Sequence, residues 1–417
     1  MKIIKPMLLA VAAWGGLFTM ADPTFAQTWT QTSAPANYWS CVASSADGTK
    51  LVAAIEDGYH GINNIYTSTN SGATWLLTSA PTNYYWASVA SSADGNKLAV
   101  MASNSRNNGG GAIFVSTNSG TTWMLTSAPT NYFWDSVASS ADGTKLAAVS
   151  NDGGIYTSTN SGVTWIQQTN APKLSWYSVV SSADGTTLVV QLQNSIYRSI
   201  NSGVTWMQIT SPPISWQGGS SLQVIASSAD GARLVAAFYG DQHFNGCPIY
   251  ISTNSGTTWA ATSAPSNHWT CVASSADGTK LVAVASSLSG PQDLGPIYTS
   301  TNSGATWTSN TVPNQEWTFV ACSADGNKMV AVSGRYILGL IYTLCSTPAP
   351  SMNIMPSRGD LTLSWLVPST NFVMQQSSDL GSWTDVTNPL VLDLSNLQNK
   401  VIQSPTNNSG FYRLKTP

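Results

Sequence analysis

Charge is scarce in this chain. Sixteen Lys and Arg and nineteen Asp and Glu make up only 8% of 417 residues, with three His and a formal net charge of −3. So few cations cannot form a basic face, which excludes a nucleic-acid backbone or an anionic membrane surface as partner. Long apolar runs are missing beyond the start of the chain, so no membrane span is expected. The early run, residues 7–18, follows Lys2 and Lys5 and precedes Thr24, Phe25 and Ala26. It reads as a secretory leader cut after Ala26, which makes the mature protein secreted, periplasmic or cell-surface. Cysteine is sparse and odd in number: 41, 247, 271, 322 and 345 match no disulfide or zinc frame. The expectation is mostly buried free thiols, with room for one bridge. There is no H-E-x-x-H, no G-x-S-x-G, no P-loop and no dinucleotide glycine pattern, so neither a metal nor a cofactor is expected. Helical periodicity is absent as well.

What is abundant is repetition. "STNSGATW" at 68–75 returns in near-copies at 116–123, 158–165, 199–206, 252–259 and 300–307. A second marker, "SADG", occurs at 45–48, 92–95, 140–143, 182–185, 228–231, 275–278 and 323–326, at intervals of 42 to 48 residues. Such a period belongs to solenoids or propellers. Each unit holds four short runs rich in Val, Ile, Thr and aromatics, bounded by Gly, Asn, Asp or Pro, which is one four-stranded blade. The seventh unit, ending "LIYTLC" at 340–345, lacks a fourth run, and "TWTQTSAP" at 28–35 copies the missing piece. The N-terminal strand therefore completes the last blade and leaves no open edge. The expected fold is all-β: a seven-bladed β-propeller over 27–346, then a short linker and a small β-sandwich over 347–417.

The tryptophans fit this reading. Trp29, Trp75, Trp123, Trp165, Trp206, Trp259 and Trp307 close the octapeptide or its equivalent, and Trp39, Trp86, Trp134, Trp176, Trp216, Trp269 and Trp317 open the first strand of each blade. At a regular period, large aromatics are expected as packing between blades. In the octapeptide, Asn suits a backbone-bonding turn, Gly suits positive φ, and Trp packs between sheets, so the motif reads as a joint built repeatedly. The Asp of "SADG" reads as a turn residue, since calcium needs more oxygens than one such turn offers.

S-x-N-x-G-x-T-W resembles the Asp-box, or sialidase-type repeat, of secreted propellers, with Asn70, Asn118, Asn160, Asn201, Asn254 and Asn302 where the family has Asp. It also resembles the box of photosystem-assembly propellers. The Asp-box resemblance implies a structural box away from the active centre. Sialidase activity, by the family pattern, needs three clustered Arg; the propeller has only Arg106, Arg198, Arg233 and Arg335, so that centre cannot be assembled. In the tail, "SSDLGSWTDV" at 377–386 with the final "FYRL" resembles a C-terminal module of secreted bacterial proteins of the Verrucomicrobia type.

Propeller geometry puts the "SADG" turns and the boxes on one face, and the loops between second and third strands, with the links between blades, on the other. The second face varies between repeats, and function gathers on such loops. Its expected ligand-binding residues are Tyr38, Tyr84, Tyr85, Tyr132, Phe133, Tyr177 and His268, an aromatic mouth suited to a glycan or a protein ligand. The leading expectation is a non-catalytic binding or scaffold propeller. The rival is a glycoside hydrolase with paired carboxylates drawn from Glu56, Asp57, Asp152, Asp241, Asp293 and Glu316. Asp135 is a further acid on this face and is not among those candidates.

Overall fold

A computed structural model describes residues 29–345, apart from 57–62, 104–109, 193–194, 214–221, 239–245, 287–293 and 335–336, and the strand segments between 353 and 415. The expected leader, Asp57, Asp241, Asp293 and Trp216 lie outside the described residues.

Seven four-stranded antiparallel sheets follow one another around a ring. Six are consecutive in sequence; the first is Trp39–Ser44, Leu51–Ile55, Ile65–Ser68 and Leu76–Leu77. The seventh joins Trp317–Cys322, Lys328–Ser333 and Ile341–Cys345 to the N-terminal strand Trp29–Gln31. The register of closure is Trp29 opposite Leu344, Thr30 opposite Thr343 and Gln31 opposite Tyr342. The expected split blade is present.

Burial grades across each blade. Second strands, such as Leu51–Ile55 and Leu146–Ser150, are buried at every position. Both their faces lie against neighbouring blades, which is why they read as unbroken apolar runs and not as alternating ones. Fourth strands are only two or three residues long and mostly exposed. The cores lie between blades: Cys41, Val52, Ala54 and Ile65 of the first blade pack against Trp86, Val100 and Phe114 of the second. The same holds across the closing junction, where Trp39 and Ala53 meet Val332 and Ile341. A blade alone has almost no interior, so the blades stabilise one another or not at all. Six of the first-strand tryptophans are 0% exposed, in keeping with packing.

None of the five cysteines is in a disulfide; Cys41, Cys247 and Cys271 are buried. Burial drives the Cys41 and Cys271 thiols up to about 12. Beyond the ring, Asn353–Ser357, Asp360–Leu366, Val391–Asp393 and Gln398–Gln403 form a four-stranded sheet, and Val373–Ser377, Thr384–Asp385 and Phe411–Lys415 a three-stranded one. Leu363, Trp365 and Val401 of the first share a buried cluster with Met374 of the second. Among the described residues no helix is long and apolar enough to cross a membrane.

Candidate ligand face

The two faces of the ring are built differently. In each "SADG" turn the Gly N–H donates to the Ser carbonyl, as Gly95 does to Ser92 at 3.0 Å. The Asp carboxylate is consumed inside the turn. Asp94 accepts from Ser92 Oγ (2.6 Å), from the Asn96 backbone N–H (2.9 Å) and from Asn96 Nδ2 (2.7 Å). Burial works to raise these carboxyls, but the turn's hydrogen bonds and a lysine from the preceding blade overcome it, and Asp47, Asp94, Asp142 and Asp184 end with lowered pKa. Their oxygens are already committed to donors.

The alanine of this marker does something the turn itself does not require. Ala46 N–H donates to Ala93 O, Ala93 to Ala141, Ala141 to Ala183, Ala183 to Ala229, Ala229 to Ala276, Ala276 to Ala324, and Ala324 back to Ala46, each at 2.7 or 2.8 Å. These alanines form a collar around the axis, with their methyl groups in one cluster.

The octapeptide is the second joint. Ser68 Oγ accepts from the Gly72 N–H (2.9 Å), and Asn70 Oδ1 accepts from the Thr74 N–H (2.9 Å). The amide thus does the capping work expected of it. The turn binds its own blade through Ser71 N–H to Thr49 O at 2.8 Å, which places both markers on one face. Positive φ falls on the serine as well as on the glycine: Ser71, Ser119, Ser161, Ser202, Ser255 and Ser303 lie at 55° to 57°. The expectation assigned it to glycine alone. For a residue with a Cβ this conformation costs about 1–2 kcal/mol.

Cations then strap blade to blade. Lys50 Nζ donates to Asn96 Oδ1 (2.6 Å) and Ser119 Oγ (3.3 Å), Lys97 to Asp142 O (3.0 Å), and Lys145 to Asp184 O (3.0 Å) and Ser202 Oγ (3.4 Å). Arg233 reaches Ser303 Oγ (2.8 Å), Lys280 reaches Asn327, and Lys328 reaches Ser71 Oγ (3.2 Å). The fourth blade has Thr187 in this place, and Arg198 on its third strand supplies the missing strap to Ser255 O at 3.0 Å. Two of the four propeller arginines are therefore structural.

The opposite face carries the loops between second and third strands and the links between blades. Backbone bonds hold loop to link: Glu56 N–H to Tyr38 O (3.0 Å), Asn151 to Phe133 O (2.9 Å), Ser286 to His268 O (3.0 Å) and Gly334 to Glu316 O (3.0 Å). The expected candidates lie at different depths on this face. Tyr84 sits on Phe114 (5.1 Å between centroids) and beside Trp86 (5.8 Å), and Tyr132 on Tyr156 (5.4 Å) beside Trp134 (5.8 Å), so both rings are wedges between strands. Tyr38 packs partly buried against the closing junction. Tyr85 is half-buried at the head of its strand, opposite Ser103. His268 and Glu316 are buried. Phe133 and Tyr177 stand open, 51% and 36% exposed, on the third and fourth blades. Glu56 and Asp152 are exposed. Among the described residues no cluster of three His, Cys, Asp or Glu could hold a metal ion.

The residue outside the expected set is Asp135. It follows Trp134 at the bulge of the first strand, between Trp134 and Ser136. Its Oδ2 is buried with no donor. Burial pushes its carboxyl up to about 7; the Asn151 N–H opposes the rise and Asp152 adds to it. Phe133, Asp135 and Asp152 thus occupy one sector of the third blade, and Tyr177 stands at the head of the fourth. The available signal was positional: the bulge residue is Ser40, Thr270 or Thr318 in other blades.

No protein-family model matches the chain, and no curated protein does. Among solved structures, the GH74 xyloglucanase of Xanthomonas campestris is similar with TM-score 0.60 and 16% identity over 82% of this chain. The chain spans 59% of that enzyme's length. The GH74 enzyme of Niastella koreensis gives 0.59 and 13% over 94% of this chain and 74% of its own. YCF48 bound to a D1 peptide gives 0.53 and 15% over 79% of this chain and 99% of its own. At these identities the likeness establishes a β-propeller fold and nothing finer.

Proposed function

We propose that this chain is a non-catalytic binding propeller whose ligand, a glycan or a peptide, sits on the variable-loop face where the third and fourth blades meet. One observation carries the reading: Phe133 and Tyr177 are exposed aromatic rings on the variable-loop face, at the third and fourth blades, while the polar groups of the box-face turns are bonded to one another and to the collar. Exposed rings offer flat apolar area to a sugar face or a peptide side chain. The fold neighbours include both a glycan-processing enzyme and a peptide-bound protein, so either ligand class is compatible with the frame. The octapeptide is taken as an Asp-box-type repeat, the chain as secreted after loss of residues 1–26, and 347–417 as a separate β-sandwich module of the Verrucomicrobia kind. A glycan array and a peptide pull-down with the mature protein test the reading. Binding lost in Phe133→Ala and Tyr177→Ala supports it; binding to neither library, or binding untouched by both substitutions, refutes it.

A second reading, glycoside hydrolysis, draws on Asp135 and Asp152. A carboxyl pushed up to about 7 beside a second acid is the electrostatic pattern of a general acid with its partner. Release of reducing sugar from xyloglucan or a mixed glycan panel, abolished by Asp152→Asn, would favour it over simple binding.

A further inference from the structure

We propose that Asp135 is a proton-dependent latch between the third and fourth blades: as a carboxylic acid it donates to the Trp176 carbonyl, and as a carboxylate it repels it.

The repeat itself supplies the geometry. At the equivalent bulge, Ser40 Oγ donates to the next blade's Trp86 O (2.9 Å) and to its own blade's Ala54 O (3.2 Å). Thr270 Oγ1 does the same with Trp317 O (2.9 Å) and Val284 O (3.2 Å), and Thr318 Oγ1 with Trp39 O (2.9 Å) and Val332 O (3.1 Å). Three junctions are thus pinned beside the axis by a hydroxyl placed against two carbonyls. The third blade puts Asp135 in that place, and the matching carbonyls are Trp176 O across the junction and Val149 O, since Val149 pairs with Ser136 as Ala54 pairs with Cys41. Trp176 is drawn against the third blade by its own N–H, which donates to Ser150 O. A carbonyl oxygen only accepts, so a carboxylate has nothing to offer there and a protonated acid does. The buried Oδ2 without a donor is what this arrangement leaves behind.

The titratable groups on the surrounding elements are Asp152 on the following loop, Tyr132 on the preceding link, Tyr156 on the third strand and, across the junction, Lys173 and Tyr177. Asp152 acts in the direction that keeps the proton on Asp135. The sign follows. The folded group holds its proton to about 7, against an ordinary 3.8 in the unfolded chain. Its contribution to stability is complete below the ordinary value, declines as pH rises through the window between the two, and is gone once the pH passes the folded value.

The test is thermal unfolding of the full chain against pH, wild type beside Asp135→Thr and Asp135→Asn. The threonine restores the hydroxyl of the other blades, and the asparagine supplies an amide donor of the same shape. Both should gain in Tm relative to wild type as pH rises from 5 to 8, by several degrees at the upper end, with little difference at pH 5. A gain that is the same at both pH values, or a threonine variant less stable than wild type at pH 8, overturns the latch. Hydrogen exchange of the wild type needs no variant. Corrected for intrinsic rates, residues 176–181 should lose protection between pH 6 and pH 8 while 269–274, pinned by Thr270, keep theirs. Equal behaviour of the two segments also overturns it. The latch requires no ligand, so it stands or falls apart from the binding and hydrolysis readings.

Discussion

The two faces of this ring start from the same strands and reach opposite solutions. On the box face every junction repeats one set of contacts: a collar bond, a cation strap and a turn whose carboxylate is held by its own donors. On the loop face the backbone anchors recur but most side chains do not, and the bulge residue is hydroxyl, methyl, carboxyl or amide depending on the blade. The first face is therefore redundant, since one lost strap leaves the others. The second is differentiated, since its hydroxyl pin is present at three junctions and replaced at others.

The largest expected effect sets the closing strand against the rim. Trp29→Ala empties a buried site at the blade closure and should cost about 3–5 kcal/mol in denaturant unfolding. Phe133→Ala, at an exposed ring, should stay within about 0.5 kcal/mol. A similar loss for both would erase the contrast.

Next comes the collar's edge. Gly278 has φ of 70°, and a Cβ there would lie 2.6 Å from Arg233 Cδ. Gly278→Ala should lower stability by about 1–2 kcal/mol in the same measurement, from backbone strain and a displaced strap together. Full tolerance would mean that the arginine swings away and the strap carries little.

Acid titration separates the faces by sign. The lowered carboxyls of Asp47, Asp94, Asp142 and Asp184 contribute stability present above the ordinary carboxylate value and lost as pH falls through their folded values. The melting temperature should therefore drop below about pH 4. Asp142→Asn should blunt that drop and leave the behaviour between pH 5 and 8 alone. Asp135 acts in the opposite direction in the higher window.

The smallest effect is a gain. Ser161 has φ of 56°, and the strap at its junction, Lys97, goes to the Asp142 carbonyl. Ser161→Gly should relieve strain and raise stability by a few tenths to about 1 kcal/mol. A loss would show that the hydroxyl holds something across the junction.

Much of the frame was legible in the sequence because it is local. Strand, turn and joint each fall within one unit, and the missing fourth run of the last unit was visible as a surplus piece at 28–35. What escaped depends on how one blade stands against the next. The alanine of "SADG" bonds its neighbour's carbonyl and the lysine after each turn reaches the next blade, and neither contact has a signature within one repeat. Arg198 replacing the strap lost at Thr187 comes from another strand and carries no periodic signature. That Tyr84 and Tyr132 are partly buried follows from aromatic partners on third strands, Phe114 and Tyr156, which the local sequence does not show. Asp135 was visible as an acid but not as an anomaly, because its significance lies in what fills the same bulge elsewhere.

The pairing of Trp29–Gln31 with Ile341–Cys345 also fixes an order of events. During synthesis the earlier partner emerges some three hundred residues before the later one. Six sheets can assemble in passing, but the seventh waits for its last segment. The nascent protein therefore spends most of its elongation as an open arc with two unsatisfied ends, each a template for the wrong edge. Until that pair forms, the stability of the finished circle gives no protection against misassembly.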